Sequence, residues 1–321
     1  MASKPTPTFV HRGFDGGTAC CSLLPRNELL LVGTSTGRCV AFFPTTHVQL
    51  FTVFEDEEKR AVTNCGETEE FVFVHVRGFA VVVGTIEARK FEAKKTIPAT
   101  HFGFCRTIAC GKKLIVPEYE NLQHYILVTD LSSDSRIGPL TASPRNAEGN
   151  PAASPMAIVI LDEEGSKLAV GFEEGVIRVY NVPNREEIAS VSAFKDVVFD
   201  LSFDAKSGIL AASSSESPIR LFRCGADGSL EPIRDIEFPE WSKGCSTLAF
   251  SPGGRLLSAG FWNGFTRIYS MKSGKMLCSL DYHEETINFI SWCERGNETP
   301  LHICSQDGKL TIWNMYKDKT A

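Results

Sequence analysis

Through most of its length the chain alternates apolar and polar residues with period two, in short runs bounded by Gly, Asn, Asp and Ser. That period places successive side chains on opposite faces of a strand, whereas a helix would repeat apolar residues at i, i+3 and i+4. Leu168 to Phe172 is one such run; a turn at Gly175 follows, then a second alternating run from Val176 to Tyr180 that ends in an aromatic. The phrase returns from Leu257 to Tyr269 and from Ile303 to Trp313, with a looser copy from Leu210 to Phe222.

Taking the residue that closes the second run as an anchor gives Phe43, Val83, Thr129, Tyr180, Phe222, Tyr269 and Trp313, spaced 40 to 51 residues apart. A period of about 40–45 residues, with four short strands per unit, is the signature of a propeller blade. The turn Phe250-Ser251-Pro252-Gly253-Gly254 ends the preceding strand of its unit, and Phe203-Asp204 and Ile160-Leu161-Asp162 stand at the same place in theirs. On these phrases the chain resembles the WD40-repeat family over almost its whole length. The expected fold is all-β, a WD40 β-propeller of about seven blades in one domain spanning residues 1–321. Length alone, at about 150 residues per domain, would have suggested two. Little chain follows Trp313, so Thr8 to Arg12 is expected to supply the strand that completes the last blade and leaves no open sheet edge. The segment 131–155, rich in Ser, Pro, Asn, Gly and Ala, is expected to be a mobile surface loop. Ser143-Pro144 and Ser154-Pro155 are its candidate regulatory positions.

Composition narrows the function. Lys and Arg total 33 against 39 Asp and Glu, a formal net charge of −6. A general nucleic-acid binder needs a basic face, so direct nucleic-acid binding is not expected. The apolar runs are far shorter than the ~20 residues of a membrane helix, and no secretory leader is read at the start, so neither membrane insertion nor secretion is expected. Eleven cysteines without a CxxC pair, most of them in apolar runs, suggest buried thiols in a reducing compartment. Cys105 and Cys110 lack a second pair of ligands for zinc, so no metal or cofactor is expected. Gly33-Thr34-Ser35-Thr36-Gly37 has the GxSxG spelling of a nucleophile elbow, but an alternating strand follows where that motif requires a helix. His283-Glu284-Glu285-Thr286-Ile287 lacks the second histidine of a zinc-protease helix, and His47, His75, His101, His124 and His302 are scattered. No catalytic residue is assigned.

The WD40 resemblance implies a structural tetrad in the last blade: His283, Asp307 in the hairpin turn, Trp313, and Ser305 as the hydroxyl. Such a chain, in which Asp orients His and a hydroxyl links the imidazole to the indole N–H, is a stabilising device. Asn263 stands where the family has Asp, and Thr129 where it has Trp. Phe261 and Trp262, with Phe172 at the matching place two units earlier, are candidate partner-binding residues, because aromatics dominate binding hot spots. Glu55, Asp56, Glu57 and Glu58, with Glu67, Glu69 and Glu70, are a candidate negative patch for a basic partner at the junction of blades one and two.

Two stretches carry a closer likeness. The opening Pro5 to Gly13, and at the other end Ser258 to Trp262, Arg267-Ile268-Tyr269, Leu280 to His283 and Asp307 to Tyr316, are similar to the beta-subunit-like, ASTRA-associated WD-repeat family. This resemblance implies a non-catalytic adaptor, cytoplasmic or nuclear, and monomeric within a hetero-complex. Its implied partners are the subunits of the TTT cochaperone and the phosphatidylinositol-3-kinase-like kinases, whose maturation it would assist. Two other readings stand beside it, a G-protein-beta-like signalling scaffold and a propeller hydrolase of the diphthamide methylesterase type.

Overall fold

The structure is a computed structural model that describes residues 5–141, 153–242, 244–296 and 298–315. The described residues form seven four-stranded antiparallel sheets, each the blade of a closed ring around a central channel. Blades one to six each use four consecutive strands. Blade seven takes its inner three from Ile287–Trp292, Leu301–Ser305 and Leu310–Trp313, and its outer strand from Phe9–His11. Phe9 stands opposite Ile312, Val10 opposite Thr311 and His11 opposite Leu310, so the expected closure by the first strand is what the chain does.

The second strand of each blade is the most buried. Leu29–Thr34, Val72–Val76 and Leu301–Ser305 are buried at every position, because neighbouring blades cover both of their faces. Outer strands such as Glu186–Ser192 meet solvent and are mostly polar. This gradient explains the phrase that recurs in the sequence. Gly33, Gly171 and Gly260 each sit near the end of a second strand, where a Cβ would strike Val62, Val198 or Ile287 of the next blade. Only glycine lets the neighbouring blade approach that closely.

The third strands share a register. Tyr180 lies opposite Leu168, Phe222 opposite Leu210, Tyr269 opposite Leu257 and Trp313 opposite Leu301. In blade one the residue opposite Leu30 is Phe42, which is buried, while Phe43 is exposed beyond the strand end. The first anchor is therefore Phe42. The segment expected to be a loop is partly sheet: Arg136–Thr141 is the outer strand of blade three, and Pro155 opens the inner strand of blade four at Pro155–Ile160. Ser154 is buried against Glu173, and Ser143-Pro144 lies outside the described residues. The GxSxG spelling is the turn between Leu29–Thr34 and Arg38–Phe42, a hairpin without a helix.

Candidate functional site at the upper mouth of the channel

The two ends of the ring differ in what forms them. The upper end carries the turns between second and third strands and the links from each outer strand to the next blade; the lower end carries the remaining turns.

In five blades the inner strand has the same bulge near the upper end. Register slips past Ala19, Thr63, Met156, Ser246 and Asn288, each left without a partner across the pair. A bulge re-aims the side chain of its extra residue. Here four of the five line a cavity of about 640 Å³ at the upper mouth, and Met156 lines a second, of about 340 Å³, deeper in the channel. Bonds between blades fix this collar: Asn288 Nδ2 donates to the Thr18 carbonyl at 2.9 Å, and Ser246 Oγ to that of Ile287 at 2.5 Å.

Two arginines and three aromatics give the mouth its chemistry: Arg77, Arg106, Phe104, Phe199 and Trp262. Phe104 and Arg106 ride on the link from blade two to blade three, which neighbouring residues pin. Arg77 Nε donates to the Phe102 carbonyl at 2.7 Å, and the Thr107 N–H to His75 Nδ1 at 3.2 Å. The Arg77 guanidinium lies 4.6 Å over the Phe104 ring, and burial pushes its pKa down. Arg106 donates to the Asn288 carbonyl at 2.6 Å and lies 4.9 Å over Phe289 at the neck between the cavities. Among the described residues no Asp or Glu lines the upper cavity. The lower one holds the half-buried Asp200, whose oxygens accept from Leu201 N at 3.0 Å and Leu248 N at 2.8 Å. Burial pushes the Asp200 carboxyl up, against the pull of the Arg106 charge and those N–H groups.

Of the three candidate aromatics, Trp262 alone is accessible, at 42% exposure. Its indole lies over Gly244, where any Cβ would overlap the ring, and meets Phe199 edge-on at 5.4 Å. Phe261 and Phe172 are 0% and 2% exposed. They are the last residues of second strands, held between blades, and so cannot anchor a partner. An arginine stacks on each: Arg267 at 4.4 Å from the Phe261 ring, Arg178 at 5.2 Å from that of Phe172. Phe102 and Trp241 add exposed aromatic surface to the upper end.

The acidic residues do not form one patch. Glu55–Glu58 precede the inner strand of blade two, Val62–Glu67, at its upper end, and Glu67–Glu70 lie at its lower end. Asp56 is buried and clamps its own loop, with Arg60 N donating to Oδ2 at 2.8 Å and Nη2 to Oδ1 at 2.7 Å. Those bonds from Arg60 hold its carboxyl below the ordinary range. Glu67 accepts from Arg26 and Asn27, and Glu70 pairs with Lys112 at 2.7 Å. Glu55, Glu57 and Glu58 remain exposed on the upper rim.

In blade seven the hydrogen-bond chain is Asp307, His283, Thr311 and Trp313. His283 Nδ1 lies 3.0 Å from Asp307 Oδ2, Nε2 lies 2.8 Å from Thr311 Oγ1, and the Trp313 indole donates to Thr311 at 2.9 Å. Thr311, not Ser305, is the linking hydroxyl. Ser305 sits on the adjacent strand, donates to the Glu285 carbonyl and accepts from Asp307 N. Carboxylate accepts and indole donates, so the chain has one direction for a neutral imidazole: indole to hydroxyl to Nε2, and Nδ1–H to Asp307. Burial pushes the Asp307 carboxyl up, but hydrogen bonding from His283, with help from Lys309, outweighs it and holds the group well below the carboxylate range. Both ring nitrogens are used inside the blade, which makes this a brace. Blades four and six place Arg178 and Arg267 where blade seven has Thr311, three residues after the turn glycines Gly175, Gly264 and Gly308. Arg178 pairs with Glu174 at 2.7 Å; Asn263 stands at the matching place in blade six, where Arg267 instead donates to Ser242 at 2.6 Å.

Among the described residues no group of three or more His, Cys, Asp or Glu could hold a metal ion. No helix among them is long and apolar enough to cross a membrane. The described cysteines are free, and burial raises the pKa of Cys105 and Cys245 far above an ordinary thiol's.

Residues 201–295 match the family model of the anaphase-promoting complex subunit 4 WD40 domain. Guanine nucleotide-binding protein subunit beta-like protein 1 of Mus musculus is 20% identical over 149 residues, which cover 46% of this chain and 44% of that protein. ASTRA-associated protein 1 of Schizosaccharomyces pombe is 23% identical over 175 residues, 50% of this chain and 47% of that protein. The match thus spans less than half the length of either relative. The crystal structure of the Myceliophteria thermophila Cps50 (Swd1) β-propeller domain shares the fold, with a TM-score of 0.78 at 15% identity over 96% of this chain and 100% of that one. The chain is a seven-bladed β-propeller that resembles WD40-repeat proteins, the beta-subunit-like and ASTRA-associated proteins among them.

Proposed function

We propose that this propeller is a non-catalytic scaffold that holds protein partners in a larger assembly, itself entering as a monomer. The observation that carries this reading is the upper mouth, where accessible Trp262 and Phe104 stand beside Arg77 and Arg106 on a braced collar. Aromatic and arginine side chains on a rigid support are what interface hot spots use. The likeness to ASTRA-associated protein 1 supports the finer reading. In it the chain works with the TTT cochaperone in the maturation of phosphatidylinositol-3-kinase-like kinases, in the cytoplasm, the nucleus or both. Affinity purification of the tagged protein with quantitative mass spectrometry tests both levels. Recovery of TTT subunits and such kinases is expected. A different stable set of partners would overturn the finer reading, and recovery of the protein alone would overturn the scaffold. Fluorescence imaging of the tagged chain tests the compartment.

A further inference from the structure

We propose that the upper mouth is a docking site for an extended peptide that inserts one carboxylate side chain between Arg77 and Arg106 and lays a flanking apolar side chain against Trp262 and Phe104. This rests on the scaffold reading and names the chemistry of what the scaffold grips.

Charge decides the sign of the inserted group. Two guanidiniums line the upper cavity with no Asp or Glu among the described residues of its walls, in a chain whose net charge is −6; Asp200 of the lower cavity offsets part of the Arg106 charge from below. Among the described residues neither arginine forms an ion pair. Arg77 spends Nε on the Phe102 carbonyl and Arg106 one Nη on that of Asn288, leaving further donors on each. A cationic side chain, which the aromatics alone would accept, meets two like charges here. A carboxylate meets fixed donors in a partly enclosed cavity, where charge-assisted bonds are strongest.

The surroundings limit the ligand further. Glu57, with Glu55 and Glu58 beside it paired to Arg38 and Arg60, stands exposed on the rim in the segment that leads to Ala61, which lines the cavity. A run of acids would be repelled there, so one acid with apolar neighbours fits best. The apolar contact is the exposed part of Trp262, held by Gly244 and Phe199, together with the exposed ring of Phe104. The cavity of about 640 Å³ has room for such side chains.

The test is fluorescence anisotropy with the full chain and a labelled heptapeptide whose central glutamate is flanked by phenylalanines. Saturable binding is expected, weakened by about tenfold or more in Arg106→Gln. Arg77→Gln and Trp262→Ala should weaken it too, as should added salt or a central glutamine. Melting curves of each variant identify any that misfolds, and Arg77→Gln then stands in for Arg106→Gln. Equal binding of a lysine-centred peptide, binding confined to a phosphoserine-centred one, unchanged affinity in both arginine variants, or no binding at all would each overturn the proposal. The purification described above separates the two failures: stable partners without peptide binding leave the scaffold standing and remove this site, whereas an absence of partners removes the scaffold itself.

Discussion

Replacing Thr311 by valine keeps the shape of the side chain and removes the hydroxyl that joins His283 Nε2, at 2.8 Å, to Trp313 Nε1, at 2.9 Å. Both nitrogens are buried, and each loses its partner. A buried polar group left unpaired costs about 1–3 kcal/mol, so the variant, with two such groups, should lose about 2–6 kcal/mol. With unfolding entropy of about 2.1 cal/mol/K per residue, a loss of about 3 kcal/mol lowers Tm by roughly 4–5 °C in a chain this long. Urea unfolding followed by far-UV circular dichroism reads the effect without depending on tryptophan emission. A double-mutant cycle with Trp313→Phe sharpens it. Thr311→Val should couple to that change by about 1 kcal/mol or more, while Ser305→Ala should add to it within about 0.5 kcal/mol. Coupling of Ser305 to Trp313, with none for Thr311, would refute the assignment of the linking hydroxyl.

The buried histidines set a pH limit. Burial lowers His75 and His302 to about 3 and His11 and His101 to about 4. Their folded pKa lies below the unfolded value near 6.5, so the stability they allow is present above that pH and falls as acid protonates the unfolded chain. At pH 5 each should cost up to about 2 kcal/mol relative to pH 7.5, and urea midpoints measured across this range should fall steadily. Gly244 has φ +69° and lies beneath the Trp262 indole, so Gly244→Ala should displace the ring, shift its emission to the red and cost about 1–2 kcal/mol. Unchanged emission would contradict the placement. Removing the chain through His11 strips the outer strand from blade seven and bares the edge of Leu310–Trp313. Light scattering should then show association, as an unpaired edge invites pairing; a stable monomer would show that closure does not depend on that strand.

Fold was legible in the sequence because four units repeat one local phrase and the spacing of the anchors carries the other three. The pattern was less sharp where two neighbouring residues both satisfied it: Phe42 and Phe43 are each aromatic, and only the register opposite Leu30 selects Phe42. Thr311 could have been found, since period two puts it on the same side of its strand as Trp313, whereas Ser305 lies on another strand. Asp56 looked like its acidic neighbours, but Arg60 four residues on draws it into a buried clamp. Phe172 and Phe261 adjoin turns in sequence, and the burial of second strands on both faces takes them out of reach. The mouth itself was the least legible part. Arg77, Phe104, Phe199 and Trp262 come from widely separated segments, and only ring closure makes them neighbours.

Purification of tagged wild-type protein beside a Trp262→Ala, Arg106→Gln double variant tests the central claim most directly, with melting curves to confirm that both are folded. The partners recovered with the wild type should fall by about tenfold or more in the variant. Equal recovery from the two folded proteins would contradict the claim that the upper mouth is where this propeller holds its partners.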